Sequence, residues 1–168
     1  MLRYQLFPRS ARITVQIQQV IECFELVYNE IKSPENRLNS NEVLQILRPY
    51  LENIEFIVET GKTKGKTILI PVLFGLNNSV DKSFNADGIS NDGRVALEVE
   101  AGRAFANYAF LKDIFQACMM HGVEFLILAV RNDYRGGDDF EKVYTFLETL
   151  YISGRLVLPL KGITLIGY

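Results

Sequence analysis

Hydrophobic residues recur with helical spacing in the first part of the chain. Between about residues 12 and 32 they fall three or four positions apart, and they are Ile13, Ile17, Val20, Ile21, Phe24, Val27 and Ile31. Asn39, followed three residues later by Glu42, forms a capping pair and predicts a second helix over about 40–51, which Pro49 perturbs. Two more helices are predicted over about 103–120 and 140–151.

Shorter apolar segments predict strands in the remainder of the chain. They cover about 54–59, 67–74, a hairpin over 84–102, the buried segment EFLILAV over 124–130, and 162–168. A strand, a helix and a strand between residues 94 and 130 predict a right-handed crossover to a parallel strand. We therefore predict an α/β (α+β) fold in which helices flank a central mixed sheet. Residues 1–168 would form one domain, with a helical part at about 10–51, a core at about 52–131, and a C-terminal helix and strand at about 139–168.

The hairpin segment, FNADGISNDGRVALEVEAG over 84–102, carries three acidic residues that we predict to share one face. Asp92-Gly93 suits a two-residue type I′ turn, and a turn centred there places Asp87 directly opposite Glu98. Glu100 lies on the same face as Glu98, because side chains alternate along a strand. The opposite face is apolar and is predicted to join the core; its residues are Phe84, Ala86, Val95, Leu97, Val99 and Ala101.

Three acids on one face of adjacent strands repel each other, by roughly 0.2–1 kcal/mol for a like-charged cross-strand pair. A divalent cation would neutralise them. The alternative is a solvated hairpin face, where charged residues are common. No Lys, Arg or Thr is interleaved with the two glutamates, and the strand continues into Ala101-Gly102 and a helix, as a central strand does. These observations favour a metal site.

The same segment resembles the PD-(D/E)XK nuclease superfamily. The matching residues are Ala86-Asp87 and, after ten intervening residues, Glu98-Val99-Glu100, followed by a helix and another strand. The Glu-x-Glu form, and the string LEVEAGRAFANYAFLKDIFQA, resemble type II restriction endonucleases of the BamHI and BglII kind. The resemblance covers most of residues 40–131. Two positions depart from the pattern, since Ala86 stands where many members have Pro, and Glu100 where most have Lys.

The resemblance implies a Mg²⁺-dependent endonuclease that cleaves double-stranded DNA, with Mn²⁺ as a possible substitute. Asp87 and Glu98 would bind the metal, with the Val99 carbonyl as a further ligand, and Glu100 would orient or activate the attacking water. Such chemistry needs charge near the phosphoryl oxygens and an activated water, and metal ions held by carboxylates supply both. A restriction enzyme that cuts both strands of a palindrome favours a homodimer, for which the long first helix is a candidate interface.

Several other residues are weaker candidates for the same site. Glu59 ends a preceding predicted strand and would add a further acid, unless it is an ordinary exposed strand end. Arg103 and Asn107 lie four residues apart on the helix after the motif and would contact a phosphate or brace the acids; a plain polar helix face is the alternative. A basic turn at 61–66 would contact the DNA backbone or simply be solvated; its lysines are Lys62, Lys64 and Lys66.

Composition and charge narrow the possible functions. The chain has 168 residues, is 48% hydrophobic and has a net charge of −2, which argues against a general binder of polyanions. No apolar run reaches transmembrane length and no signal-peptide segment is recognisable, so we expect a cytoplasmic protein without a membrane partner. A single histidine, His121, excludes a histidine-rich zinc site and disfavours a Ser-His-Asp triad. The two cysteines fall at apolar helical positions and are predicted to be core residues.

Three other functions remain open from the sequence. One is a catalytically silent nuclease-like domain that binds DNA or a protein partner. Another is a repair or junction-resolving nuclease on the same fold. A glycoside hydrolase with a carboxylate pair is the third, and it is disfavoured because the chain has no Trp for a sugar platform.

Overall fold

The computed structural model of the protein describes residues 1–63, 65–102 and 108–168. Its helices and strands are, in chain order, β1 (Arg3–Phe7), α1 (Val15–Ile31), α2 (Ser40–Asn53), β2 (Phe56–Val58), β3 (Ile68–Phe74), a 3₁₀ turn (Leu76–Asn78), β4 (Val80–Ala86), β5 (Gly88–Ser90), β6 (Val95–Glu100), α3 (Ala109–Met119), β7 (Phe125–Val130), α4 (Asp139–Ser153) and β8 (Gly162–Gly167). Within these residues, no helix combines the length and the apolar composition needed to cross a bilayer.

Six of the described strands form a mixed sheet in the order β1-β8-β7-β6-β5-β2. β6, β7 and β8 run parallel to one another, whereas β1 is antiparallel to β8, and β5 is antiparallel to both β6 and β2. β3 and β4 form a separate antiparallel pair. The mixed sheet confirms the predicted α/β class, and the pairing of β6 with β7 confirms the predicted connection to a parallel strand.

Helices cover both faces of the sheet. Leu97 and Ile127 belong to the apolar cluster formed with α1 and α2, whereas Ala96 and Leu128 belong to the cluster formed with α3 and α4. Because neighbours along a strand point to opposite faces, Glu98 and Glu100 share the α3 side of β6 with Ala96. The alternative of a freely solvated hairpin face is therefore wrong: β6 is a central strand with a helix over its acidic face.

The N-terminal helices form where the sequence predicts them. Seven of the residues in α1 are buried on one side, in keeping with its apolar periodicity. At the start of α2 the side chain of Asn39 accepts a hydrogen bond from the Glu42 N–H at 3.1 Å, and the Glu42 carboxylate accepts one from the Asn39 N–H at 2.7 Å. This reciprocal pair is the predicted capping box. α2 continues through Pro49 to Asn53.

The strands differ from the sequence analysis at three places. The N-terminal strand β1 was not predicted, although it pairs along its whole length with β8. The predicted strands on either side of the basic turn belong to different sheets, since β2 pairs with β5 and β3 with β4. The predicted hairpin over 84–102 is also divided. Phe84 and Ala86 lie on β4 and pack with the α3 and α4 cluster, whereas Val95, Leu97, Val99 and Ala101 pack with the α1 and α2 cluster.

The helix predicted over 103–120 is seen as α3, which begins at Ala109. Arg103 and Asn107, the two supporting residues predicted on its first turns, lie outside the described residues, as does Lys64.

Candidate active site

A cleft of about 630 Å³ opens where the C-terminal part of β6 lies between the start of α2 and the side of α3. Its acidic residues are Asp87, Glu98, Glu100 and Asp113, and its lysines are Lys62 and Lys112. We call it the carboxylate cleft. It brings together the three acids of the sequence motif, which come from the junction between β4 and β5 and from β6.

The register between β5 and β6 positions the motif. Gly88 pairs with Leu97 and Ile89 with Ala96, so the residue before Gly88 comes opposite the residue after Leu97, as predicted. The turn itself differs from the prediction: it has four residues, 91–94, and Gly93 alone has positive φ, at 74°. A four-residue loop centred on the same point leaves the register unchanged. The type I′ assignment is therefore wrong and the pairing that follows from it is right.

Asp87 is anchored at the point where the chain leaves the small sheet and enters the large one. Its carboxylate accepts a hydrogen bond from the backbone N–H of Val99 at 2.9 Å, and its carbonyl accepts one from the N–H of Glu59 at 2.8 Å. The residue is 8% exposed. Asp87 thus continues the pairing between β5 and β6 through its side chain, and its carboxylate is fixed at the cleft.

The cleft contains a fourth acid, Asp113, that sequence reasoning missed. It lies on α3 with Phe110, Ile114 and Ala117, which are the other buried residues of that helix. Asp113 is only 5% exposed, and its Oδ2 has no hydrogen-bond partner among the described residues. An acid on the apolar stripe of a helix was the signal in the sequence, because a buried carboxylate is costly unless it is paired or protonated, or binds a metal.

Burial and mutual repulsion raise the pKa values of these acids. Burial is the main cause of the raised pKa of Glu98, and the charges of Asp87, Asp113 and Glu100 add to it. The pKa of Glu100 rises to about 8 through burial, the charge of Asp113 and a hydrogen bond with Asp113, with Asp87 contributing and Lys112 opposing. Burial also raises the pKa of Asp113, against the hydrogen bond from Glu100. The raised pKa values favour the neutral forms of these carboxyls over the charged ones.

Lys62 brings a positive charge to the edge of the carboxylate cleft. Its ammonium forms an ion pair with Glu59 and lies 3.3 Å from Oδ1 of Asp87. Burial lowers the pKa of Lys62, but the hydrogen bond with Glu59 and the charges of Asp87 and Glu59 outweigh it, and the net shift is upward. Glu59 itself is 3% exposed and follows β2, and its carboxylate is joined to the cleft by the ion pair with Lys62. Of the three lysines predicted in the basic turn, Lys62 thus contacts acids rather than standing free in solvent.

The donor chemistry of the carboxylate cleft suits a hard cation. Mg²⁺ takes oxygen ligands and retains several waters, so two or three carboxylates suffice for it. The buried, unpartnered Oδ2 of Asp113 is an oxygen that a cation would satisfy. Within the described residues, however, no group of three or more Asp, Glu, His or Cys side chains is close enough together to form a metal site. The residue types fit Mg²⁺, but the described side chains are not arranged as a coordination sphere.

Comparison of the chain with known protein families and with curated proteins gives no match. The superfamily assignment therefore rests on the motif from Ala86 to Glu100 and stays a proposal.

Proposed function

We propose that the protein is a Mg²⁺-dependent endonuclease that hydrolyses phosphodiester bonds in double-stranded DNA, of the type II restriction kind. The observation that carries this proposal is that four carboxylates from three separate segments line one cleft. A fold keeps such a cluster at a cost in stability, and raised pKa values in a cleft are typical of functional sites.

When bound, Mg²⁺ would supply positive charge to the phosphoryl oxygens and an activated water. Asp87 and Glu98 would hold the metal, and the Val99 carbonyl is the further ligand implied by the superfamily. Asp87 is suited to this role because the Val99 N–H fixes its carboxylate. Mn²⁺ would substitute for Mg²⁺, since both prefer carboxylate and water ligands.

Glu100 would accept the proton of the attacking water. A general base works best when its pKa lies near the operating pH, and the pKa of Glu100 in the metal-free cleft is about 8. Asp113 would orient Glu100 through the hydrogen bond between the two carboxyls. Lys62, beside Asp87, would place its ammonium near the incoming phosphate.

A homodimer in the cytoplasm is part of the proposal. α1, the interface suggested by the sequence, exposes only Val15 and Leu26 among its large apolar side chains. Exposed apolar side chains are more frequent on β3, β4 and the turn between them. These side chains are Leu69, Leu73, Phe74, Leu76 and Val80. This hairpin is the better candidate for the interface, and light scattering after size-exclusion chromatography would measure the mass.

A second candidate function is a catalytically silent domain that binds DNA or protein. The observation in its favour is Lys62, whose ammonium already neutralises Asp87 and Glu59 without a metal.

Incubation with supercoiled plasmid separates the two candidates. The nuclease proposal expects nicked and linear DNA in Mg²⁺ or Mn²⁺ and intact plasmid in chelator. Intact plasmid under every metal condition, with a correctly folded protein, would favour the silent domain.

A further inference from the structure

We propose that a second cleft, beside the carboxylate cleft, binds the phosphate backbone of the DNA strand. This basic cleft has a volume of about 800 Å³ and lies between the loop before α2 and the loop after β7. Its defining residues are Arg37, Arg131, Tyr134 and Arg135. The choice of DNA as the ligand rests on the proposed function, whereas the preference for phosphate rests on the cleft itself.

The two clefts adjoin each other. Asn39 and Ser40, at the start of α2, line both. The hydroxyl of Ser40 accepts a hydrogen bond at 3.1 Å from the N–H of Ala101, the residue directly after Glu100. A strand lying in the basic cleft therefore continues past the end of β6 to the carboxylates.

The charges of the two clefts are opposite. Among the residues that the structure describes, three arginines and one acid, Asp133, line the basic cleft, whereas four acids and two lysines line the carboxylate cleft. The whole chain has a net charge of −2, so the arginines are a local concentration of positive charge. An extended anion gains most binding free energy where the phosphates that do not react lie against these arginines.

Two of the arginines are available to a ligand. Arg37 and Arg135 are exposed, and neither forms an ion pair with any residue that the structure describes. Arg131 is held in place instead, because its guanidinium donates a hydrogen bond to the carbonyl of Leu38. The fork of an arginine matches the geometry of phosphate oxygens better than the ammonium of a lysine does.

Tyr134 organises the arginines around one aromatic ring. The guanidinium carbons of Arg131 and Arg135 lie 5.8 and 5.4 Å from its ring centroid. The ring packs so closely on Gly102 that a Cβ there would come within 2.9 Å of it. The loop is closed by reciprocal backbone hydrogen bonds between Tyr134 and Gly137, at 2.9 and 3.1 Å. The cleft is thus built by packing and hydrogen bonds and is more than a set of solvated surface arginines.

Binding of a labelled DNA duplex, measured by fluorescence anisotropy in chelator, tests this inference without any cleavage. The variants are Arg37→Gln and Arg135→Gln, both at exposed positions, and Arg155→Gln, an exposed arginine outside both clefts, is the matched control. Each cleft variant should weaken binding by roughly 3- to 10-fold and reduce the slope of log affinity against log salt by about 1. The control should bind like the wild type.

The possible results separate this inference from the proposed function. Affinity and salt slope unchanged in both cleft variants would overturn the inference, even if the wild type cleaves DNA. A free nucleotide or inorganic phosphate that binds as tightly as the duplex would also overturn it, in favour of a small-anion site. Weakened binding by the two variants would support it, even if the wild type does not cleave in Mg²⁺ and the nuclease proposal fails.

Discussion

The metal-free protein should lose stability as the pH rises from about 5 to about 9, because Glu100 must give up its proton. The pKa of Glu100 is about 8 in the folded protein, against an ordinary value of 4.5. Burial and the neighbouring Asp113 raise it, Asp87 adds to the increase, and Lys112 opposes it. The folded state therefore holds this proton more tightly than the unfolded state. The stabilisation is complete below an unfolded pKa of 4.5 and is lost as the pH passes through about 8.

The size of the effect follows from the same interval. The pKa of Glu100 differs between 4.5 in the unfolded protein and about 8 in the folded one, and each unit corresponds to about 1.36 kcal/mol. The upper limit of the loss in stability is therefore about 5 kcal/mol. Glu100 is only partly buried, so solvent screening reduces this to roughly 2 kcal/mol. Glu98 and Asp113 also have raised pKa values and add to the loss in the same direction.

Urea denaturation followed by far-UV circular dichroism, in chelator and at a series of pH values, measures this loss. Glu100→Gln carries a permanently neutral side chain and should flatten the pH dependence by roughly 2 kcal/mol. Glu25→Gln, at an exposed position on α1, is the matched control and should keep the wild-type dependence. A Glu100→Gln protein with the same pH dependence as the wild type would refute the reasoning.

Three further predictions concern individual residues of the cleft. Asp87→Asn should abolish cleavage with little loss of stability, because the amide oxygen still accepts the hydrogen bond from the Val99 N–H. Asp87→Ala leaves that N–H without a partner and should lower the free energy of unfolding, measured by urea denaturation, by about 1–3 kcal/mol. Equal stability of the two variants would contradict this. Glu100→Gln should slow single-turnover cleavage by ~10²–10⁴-fold with little change in calorimetric Mg²⁺ affinity, whereas Glu98→Gln should impair both; equal losses of affinity would make Glu100 another ligand. Lys62→Gln removes the ammonium that pairs with Glu59 and Asp87, so it should destabilise the metal-free protein by roughly 1–3 kcal/mol and strengthen Mg²⁺ binding. Unchanged affinity for Mg²⁺ would mean that Lys62 does not compete with the metal.

The parts of the fold that were predictable are those encoded by local patterns. The periodicity of α1 and the capping box of Asn39 and Glu42 depend on residues a few positions apart, and both form as predicted. The opposition of Asp87 and Glu98 followed from a turn centre alone, which is why the register held although the loop has four residues instead of two.

The errors arise where the fold depends on distant residues. Alternation along 84–102 placed Phe84 and Val95 on one face, but the chain changes sheets at Asp87, and a period of two does not carry across such a junction. β1 is a five-residue segment that becomes a strand only because β8, at the other end of the chain, pairs with it.

The candidate site was predictable in part. Asp87, Glu98 and Glu100 came from a motif within fifteen residues, and the structure brings them to one cleft. Asp113 left a signal, an acid on an apolar helical stripe, that was overlooked. The contact of Lys62 with Asp87 spans 25 residues and depends on the path of a loop, so no local pattern could reveal it.

Cleavage of supercoiled plasmid by wild-type and variant proteins, purified in parallel, tests most directly whether the carboxylate cleft hydrolyses DNA. The account predicts that the wild type and Glu25→Gln linearise the plasmid in Mg²⁺ at defined sites, and that chelator, Asp87→Asn and Glu98→Gln each prevent it. Cleavage by Asp87→Asn and Glu98→Gln at the wild-type rate would contradict the account, because the activity would then lie outside the cleft. Absence of cleavage by the wild type in both Mg²⁺ and Mn²⁺ would contradict the proposed nuclease itself.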